Sequence, residues 1–208
     1  MLERLPQTGE HGRVFSYKTA NPEAIAWVIS RTTGLRPSEF VSQRIWSQIG
    51  AEEDAYLMID RAGMEKMGSG MSATARDLAR FGEMLRLGGR LQGRQIVPAT
   101  AVNDLFRGGD AEMLAADPMQ NSKKGYSYHN FWWHPPAPEV IEAIGGFGQH
   151  IHINRHARTV IIKLSSAQIP SPYSESRILD VMGFAAIDAI SKAPTEKIRA
   201  TKHYAPIA

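Results

Sequence analysis

Residues 15–34 read FSYKTANPEAIAWVISRTTG, a tyrosine in a turn followed by a capped amphipathic helix. Asn21 is a favourable N-cap, because its short side chain can accept a hydrogen bond from a first-turn amide. Pro22 suits the first helical position, and Gly34 stands where a left-handed residue closes a helix. Ile25, Trp27, Val28 and Ile29 supply the apolar side. The segment predicts a helix over 22–33 with a turn held at its start, the arrangement by which a fold fixes a reactive side chain, here Tyr17. The same residues also fit Tyr17 as a half-buried aromatic leading into a core helix.

Outward from that stretch, the first half of the chain carries helical signals. Pro37 opens a second helix with Phe40, Val41, Ile45, Trp46 and Ile49 on one side and Gly50 closing it. Residues 51–71 lack a clear period and accommodate one short strand at 55–59. A third helix is expected over 73–87, with Thr74 and Asp77 as a capping pair and Leu78, Phe81, Met84 and Leu85 inward, ended by Gly88-Gly89. Pro98 starts a short helix through Phe106.

The period then changes. GYSYHNFWWH at 125–134 alternates aromatic and polar residues as one strand, and Pro135, Pro136 and Pro138 end it. Strands follow at Glu139–Ile144, Gln149–Asn154 and Thr159–Ser165, with Arg155–Arg158 as a hairpin turn. A last amphipathic helix covers 175–191, and the tail after Pro194 reads as disordered. Helices, then an antiparallel meander, then a packing helix define an α+β fold.

Four segments in order resemble the serine β-lactamase and penicillin-binding-protein superfamily, closest to its esterase and 6-aminohexanoate-dimer (nylon-oligomer) hydrolase branch. They are the Tyr17 segment, MSATARDLARFG at 71–82, RLQGRQIVP at 90–98, and GGFGQ at 145–149 followed by LSS at 164–166. The resemblance implies a β-lactamase-like (transpeptidase-like) domain over 1–193. Its helical region would cover about 10–124, its sheet and C-terminal helix 125–193, with 194–208 as the tail. The family's upstream region would add an opening helix and two strands of the same sheet, so this chain resembles the back half to two-thirds of the fold. The resemblance therefore also implies an exposed sheet edge through which the chain self-associates.

Acyl transfer by serine needs a nucleophile, a base for its proton and an oxyanion hole. The resemblance implies Tyr17 as the proton-transfer residue and the Gly146 amide as one oxyanion donor, with the serine's own amide as the other. Gly145 would let substrate backbone approach closely, and Thr19 stands where many relatives carry asparagine. Trp132 and Trp133 must face opposite sides of a strand, and the one near the cleft could cover an apolar acyl chain. Where many relatives place lysine or histidine before the oxyanion donor, this chain has Ala143 and Ile144, which favours the amidase and esterase branch.

The family's nucleophile sits in a Ser-x-x-Lys element, and no lysine here has a serine three positions before it. Those positions hold Phe15, Gly63, Gln120, Asn121, Val160, Ala189, Pro194 and Arg199. An unperturbed phenol titrates near ~10, so without the family's lysine nothing obvious favours a Tyr17 phenolate. The expectation is part of a serine hydrolase of small-molecule amides or esters, inactive alone. The alternatives are a non-catalytic ligand-binding relative and a fragment that complements a separate N-terminal chain.

At 208 residues, 43% hydrophobic and 22% charged, the chain suits one well-buried globular domain or most of a larger one. It has no cysteine, which excludes disulfides, thiolate metal sites and a cysteine nucleophile. No run approaches the ~20 apolar residues that span a bilayer. MLERLPQTGE has no apolar signal core, which favours the cytoplasm, though a leader would be lost with any missing N-terminal region. The net charge of +3 is scattered, and the clusters Lys123-Lys124 and Lys197, Arg199, Lys202 have no stacking platform for nucleic acid. His150 and His152 share a strand face, but no third ligand or HExxH accompanies them, so no metal or cofactor is expected. Gly68-Ser69-Gly70 is not a G-x-S-x-G elbow.

Overall fold

The computed structural model describes residues 10–120, 123–167 and 175–192. Helix α1 runs over Ala20–Thr33, preceded by Thr19 rather than Asn21, and Thr19 makes no side-chain capping bond. Pro22 falls inside the first turn, where its missing N–H has no intrahelical partner to lose. Gly34 closes α1 at φ 73°, its N–H donating to the Ser30 carbonyl at 3.0 Å. The expected apolar face differs more: Ile25, Trp27 and Val28 stay 47–53% exposed, and only Ala26 is buried. The reason is local, because α1 packs chiefly against α2 (Pro37–Val41). Helix α2 passes into a π-helical turn at Ser42–Trp46 and stops at Gly50, with Ile49 fully buried.

Strand β1 (Tyr56–Leu57) pairs antiparallel with β2 (Met71–Ser72). Helix α3 (Ala75–Arg86) starts at Thr74, whose hydroxyl oxygen accepts the Asp77 N–H at 3.2 Å. The Asp77 carboxylate is fully buried and accepts from the Glu52 and Glu53 amides, the Thr74 hydroxyl and the Arg80 guanidinium, at 2.7–3.2 Å. One cap thus also anchors the loop after Gly50. After α3 comes a hairpin absent from the sequence reading, β3 (Arg90–Leu91) with β4 (Arg94–Gln95), then α4 (Ala99–Arg107). Helix α5 (Ala111–Ala115), capped by the Asp110 carboxylate, was likewise not anticipated.

The single strand expected at 125–134 is a hairpin, β5 (Ser127–His129) with β6 (Trp132–His134). Asn130 and Phe131 take φ of 47° and 68°, the double positive-φ turn that matches the twist of antiparallel strands. Strands β7 (Val140–Ile144), β8 (His150–Asn154) and β9 (Thr159–Lys163) complete a five-stranded antiparallel meander in chain order. Helix α6 spans Glu175–Lys192, and the tail after Pro194 lies outside the described residues.

Neighbouring residues of β8 face opposite sides, as a pleated strand requires. Ile153 joins the core of Ile49, Met84, Leu85, Val102 and Ile141. On that side α3 comes so close that a Cβ at Gly82 would lie 2.6 Å from Val160 Cγ1. His152 points the other way, to Asp188 and Phe184 of α6. The sheet is a layer between α3 and α6, with β9 pairing only β8 among the described residues.

Candidate active site

Tyr17 sits in the irregular stretch before α1 and is 52% exposed. Its ring lies parallel to the Trp133 indole, with centroids 6.2 Å apart and planes 5° from parallel, and meets Tyr128 edge-on at 6.1 Å. Phe15 closes the cluster, 4.9 Å from Tyr128 and 5.8 Å from Trp133, and its N–H donates to the Met113 carbonyl. Burial, and after it electrostatic repulsion between the two neighbouring phenols, hold the Tyr128 phenol well above its usual range, so Tyr128 stays neutral. Lys123, 4% exposed, places its ammonium 4.2 Å from the Trp133 ring centroid. The sequence reading gave Phe15 and Tyr128 no part in the site and took Lys123 for part of a scattered basic cluster, because strand pairing and folding of the loop bring the three together from distant positions.

Thr19 is exposed at the head of α1, and its carbonyl would lie 2.8 Å from a Cβ at Gly68. That close approach is held by Glu23, whose carboxylate accepts the Met67 N–H at 3.1 Å and the Gly68 N–H at 3.0 Å. The loop carrying Gly68-Ser69-Gly70 is thereby fastened beside the tyrosine turn. An acidic residue in the first turn of a helix was the available signal for Glu23.

Gly145 follows β7, and its N–H donates to the Gln149 carbonyl at 3.0 Å. Gly146 begins a 3-10 turn through Gly148 in which Phe147 takes φ 59°. The Gln149 side chain clamps this turn to the end of β9: its amide nitrogen donates to the Ser165 carbonyl, and its amide oxygen accepts the Ser165 N–H at 3.0 Å. The Phe147 carbonyl accepts the Ala167 N–H at 3.1 Å. Among the described residues the Gly146 N–H has no acceptor, and a Cβ at Gly146 would meet nothing within 4 Å. The turn thus presents a Gly146 amide without an acceptor among the described residues, with room beside its Cα.

The predicted residues assemble only in part. Tyr17 and Trp133 touch, whereas no hydrogen bond or ring contact joins Tyr17 to Gly145 or Gly146 among the described residues. Trp133 pairs in register with Glu142 on the adjacent strand. Gly146 comes four residues later in the chain, about 13 Å on at ~3.3 Å per residue. Trp132 faces the α3 side and packs against the core, while Trp133, 7% exposed, faces the tyrosines.

Two histidines gather around Glu142 on the α6 side of the sheet. His152 stands between two carboxylates, Nδ1 3.1 Å from Glu142 and Nε2 3.1 Å from Asp188. Burial opposes its charge, but hydrogen bonding and attraction to Glu142, then Asp188, outweigh it and raise its pKa. Burial likewise works against the Glu142 carboxylate, yet His150 and His152 bring its pKa down to about 2. His150 Nε2 is 3.6 Å from Glu142, beyond hydrogen-bond length.

A helical first half, a five-stranded antiparallel meander and a glycine turn at a strand end define a β-lactamase-like α+β fold. The chain belongs to the beta-lactamase family, whose model matches residues 1–182. It is 34% identical over 160 residues to a 6-aminohexanoate-dimer hydrolase of Paenarthrobacter ureafaciens, covering 76% of this chain and 40% of that protein. A solved Bacillus anthracis protein described as a candidate 6-aminohexanoate-dimer hydrolase superposes with a TM-score of 0.80 at 37% identity, over 93% of this chain and 49% of that one. A Bacteroides dorei structure described as a candidate beta-lactamase matches with a TM-score of 0.64 at 15% identity, over 89% and 62% of the two chains, which speaks for the fold alone. The family is of the serine hydrolase type, acting on amides and esters. The chain spans about half or less of the length of the two more similar relatives.

Proposed function

We propose that this chain forms the tyrosine and oxyanion side of a serine hydrolase that cleaves a small amide or ester through an acyl-enzyme. The nucleophile would come from a region outside this sequence. Tyr17 exchanges the proton of serine and leaving group, and the Gly146 N–H donates to the oxyanion. The observation that carries the reading is the Gly146 amide: the turn is clamped through the Gly145 N–H, the Phe147 carbonyl and the Gln149 side chain, yet the Gly146 N–H has no acceptor among the described residues. A preorganised donor left free is what a developing oxyanion requires. Similarity to a 6-aminohexanoate-dimer hydrolase supports an amide as the substrate class.

Two experiments test this. The chain alone, exposed to a fluorophosphonate probe, should gain no covalent mass, because no serine precedes a lysine by three positions; stoichiometric labelling would sink the reading. The second joins the chain to the part of the Paenarthrobacter ureafaciens relative that it does not cover. Tyr17→Phe should then lower turnover by about 10²–10⁴-fold. Gly146→Pro, which removes the N–H, should lower it by about 10²–10³-fold, while Gly146→Ala keeps most of it. Normal turnover in a folded Gly146→Pro variant would reduce GGFGQ to a turn.

A further inference from the structure

We infer that Trp133 is a positioning residue: its indole is the seat that orients Tyr17, and Lys123 braces that seat. The inference rests on the reading of Tyr17 as a proton-transfer group. Such a group must be held within a fraction of an ångström of its productive place. Tyr17 has little else to hold it. Its backbone is irregular, half its surface is exposed, and among the described residues its hydroxyl makes no hydrogen bond. What fixes the ring is its parallel stack on Trp133 and its edge contact with Tyr128. Both geometries are favourable for aromatic quadrupoles at these separations.

Trp133, in contrast, is held from several directions. Its backbone pairs with Tyr128 on β5 and with Glu142 on β7. Tyr128 meets the indole edge-on at 4.7 Å, and the buried Lys123 ammonium lies 4.2 Å from its centroid, a cation–π contact strengthened by desolvation. A ring held on several sides determines where a less constrained ring stacked on it rests. At 7% exposure Trp133 has little surface left to wall a substrate, so its effect on catalysis should pass through Tyr17.

The test begins with the 208-residue chain itself. Tyr17 ring protons, assigned by their loss in Tyr17→Phe, should be shifted upfield by the indole. The shift should vanish in Trp133→Leu, persist in part in Trp133→Phe, and weaken in Lys123→Met. Tyr17 protons at unstacked positions in the unmodified chain would overturn the inference, as would a Trp133→Phe or Lys123→Met variant, should Trp133→Leu not fold, that leaves them unmoved. In the joined enzyme, Trp133→Leu should lower kcat by about 10²-fold with KM changed little, and Trp133→Phe should restore most of it. A raised KM at unchanged kcat would make Trp133 a substrate wall instead. If Tyr17→Phe keeps full turnover, the reading of Tyr17 fails and the seat loses its catalytic meaning. If Tyr17→Phe is inactive while Trp133→Leu is not, the seat alone fails.

Discussion

Asp77 shows how much a single buried carboxylate can organise. Burial alone would raise its pKa, but the Glu52 and Glu53 amides, the Thr74 hydroxyl and Arg80 together lower it. Asp77→Asn keeps the shape and turns one acceptor into a donor facing donors. We expect a loss of about 3 kcal/mol in urea unfolding with the slope unchanged. Because the native pKa is lowered, the stabilisation is present above about pH 4 and disappears as pH falls through the native value. The glycines give a matching pair of outcomes. Gly82→Ala places a methyl 2.6 Å from a stiff β-branched Val160 and should destabilise by about 1–3 kcal/mol. Gly146→Ala enters open space and should stay within about 0.5 kcal/mol of the parent.

At the scale of elements, α6 is fastened to the sheet by charge. Asp188 accepts from Thr159 and Asn154 and meets His152, whose other ring nitrogen faces Glu142. Burial works against the Asp188 carboxylate, and Thr159, Asn154 and His152 nevertheless lower its pKa. The raised pKa of His152 makes its contribution complete below about pH 6.5 and lost as pH rises through the higher native value. The lowered Glu142 and Asp188 contribute fully above about pH 4.5 and lose this as pH falls. Hydrogen exchange over 175–192 should therefore be slowest between about pH 4.5 and 6.5, after correction for intrinsic exchange. His152→Gln should flatten the alkaline limb and shrink the acidic one without abolishing it, because His150 still acts on Glu142 and Thr159 and Asn154 still act on Asp188; an unchanged alkaline limb would assign it to another group. What was legible in the sequence follows the length of the elements. The third helix and the strands at β7, β8 and β9 repeat their period several times, so pattern alone located them. The two-residue strands β3 and β4 carry no period, and a turn at Asn130-Phe131 without glycine hid the β5–β6 hairpin. Tyr17 and Gly146 were legible as motif letters, but the stack of Tyr17 on Trp133 is a tertiary fact that no local pattern encodes.

For the molecule as a whole, the surfaces left bare are as informative as the core. Ile25, Trp27 and Val28 line α1, and Tyr56, Met58, Ile59, Met64 and Met71 line the β1–β2 region, all well exposed. So many exposed large apolar side chains are the kind of surface through which proteins associate. Separately, β9 ends the sheet with no further strand among the described residues, the template on which another strand can pair. The chain spans 40% and 49% of the two more similar relatives. On its own the chain should therefore associate with rising concentration. The two candidate drivers are separable, because the α1 stripe acts through side chains and the β9 edge through backbone. Ile25→Glu with Val28→Glu removes the stripe while touching residues already half-exposed, so the melting temperature should hold within about 2 °C. In sedimentation velocity at increasing loading, the doubly substituted chain should stay monomeric where the parent forms larger species. If both associate alike, the stripe is incidental and the β9 edge joins the copies. A parent that is monomeric throughout would show that neither surface is adhesive.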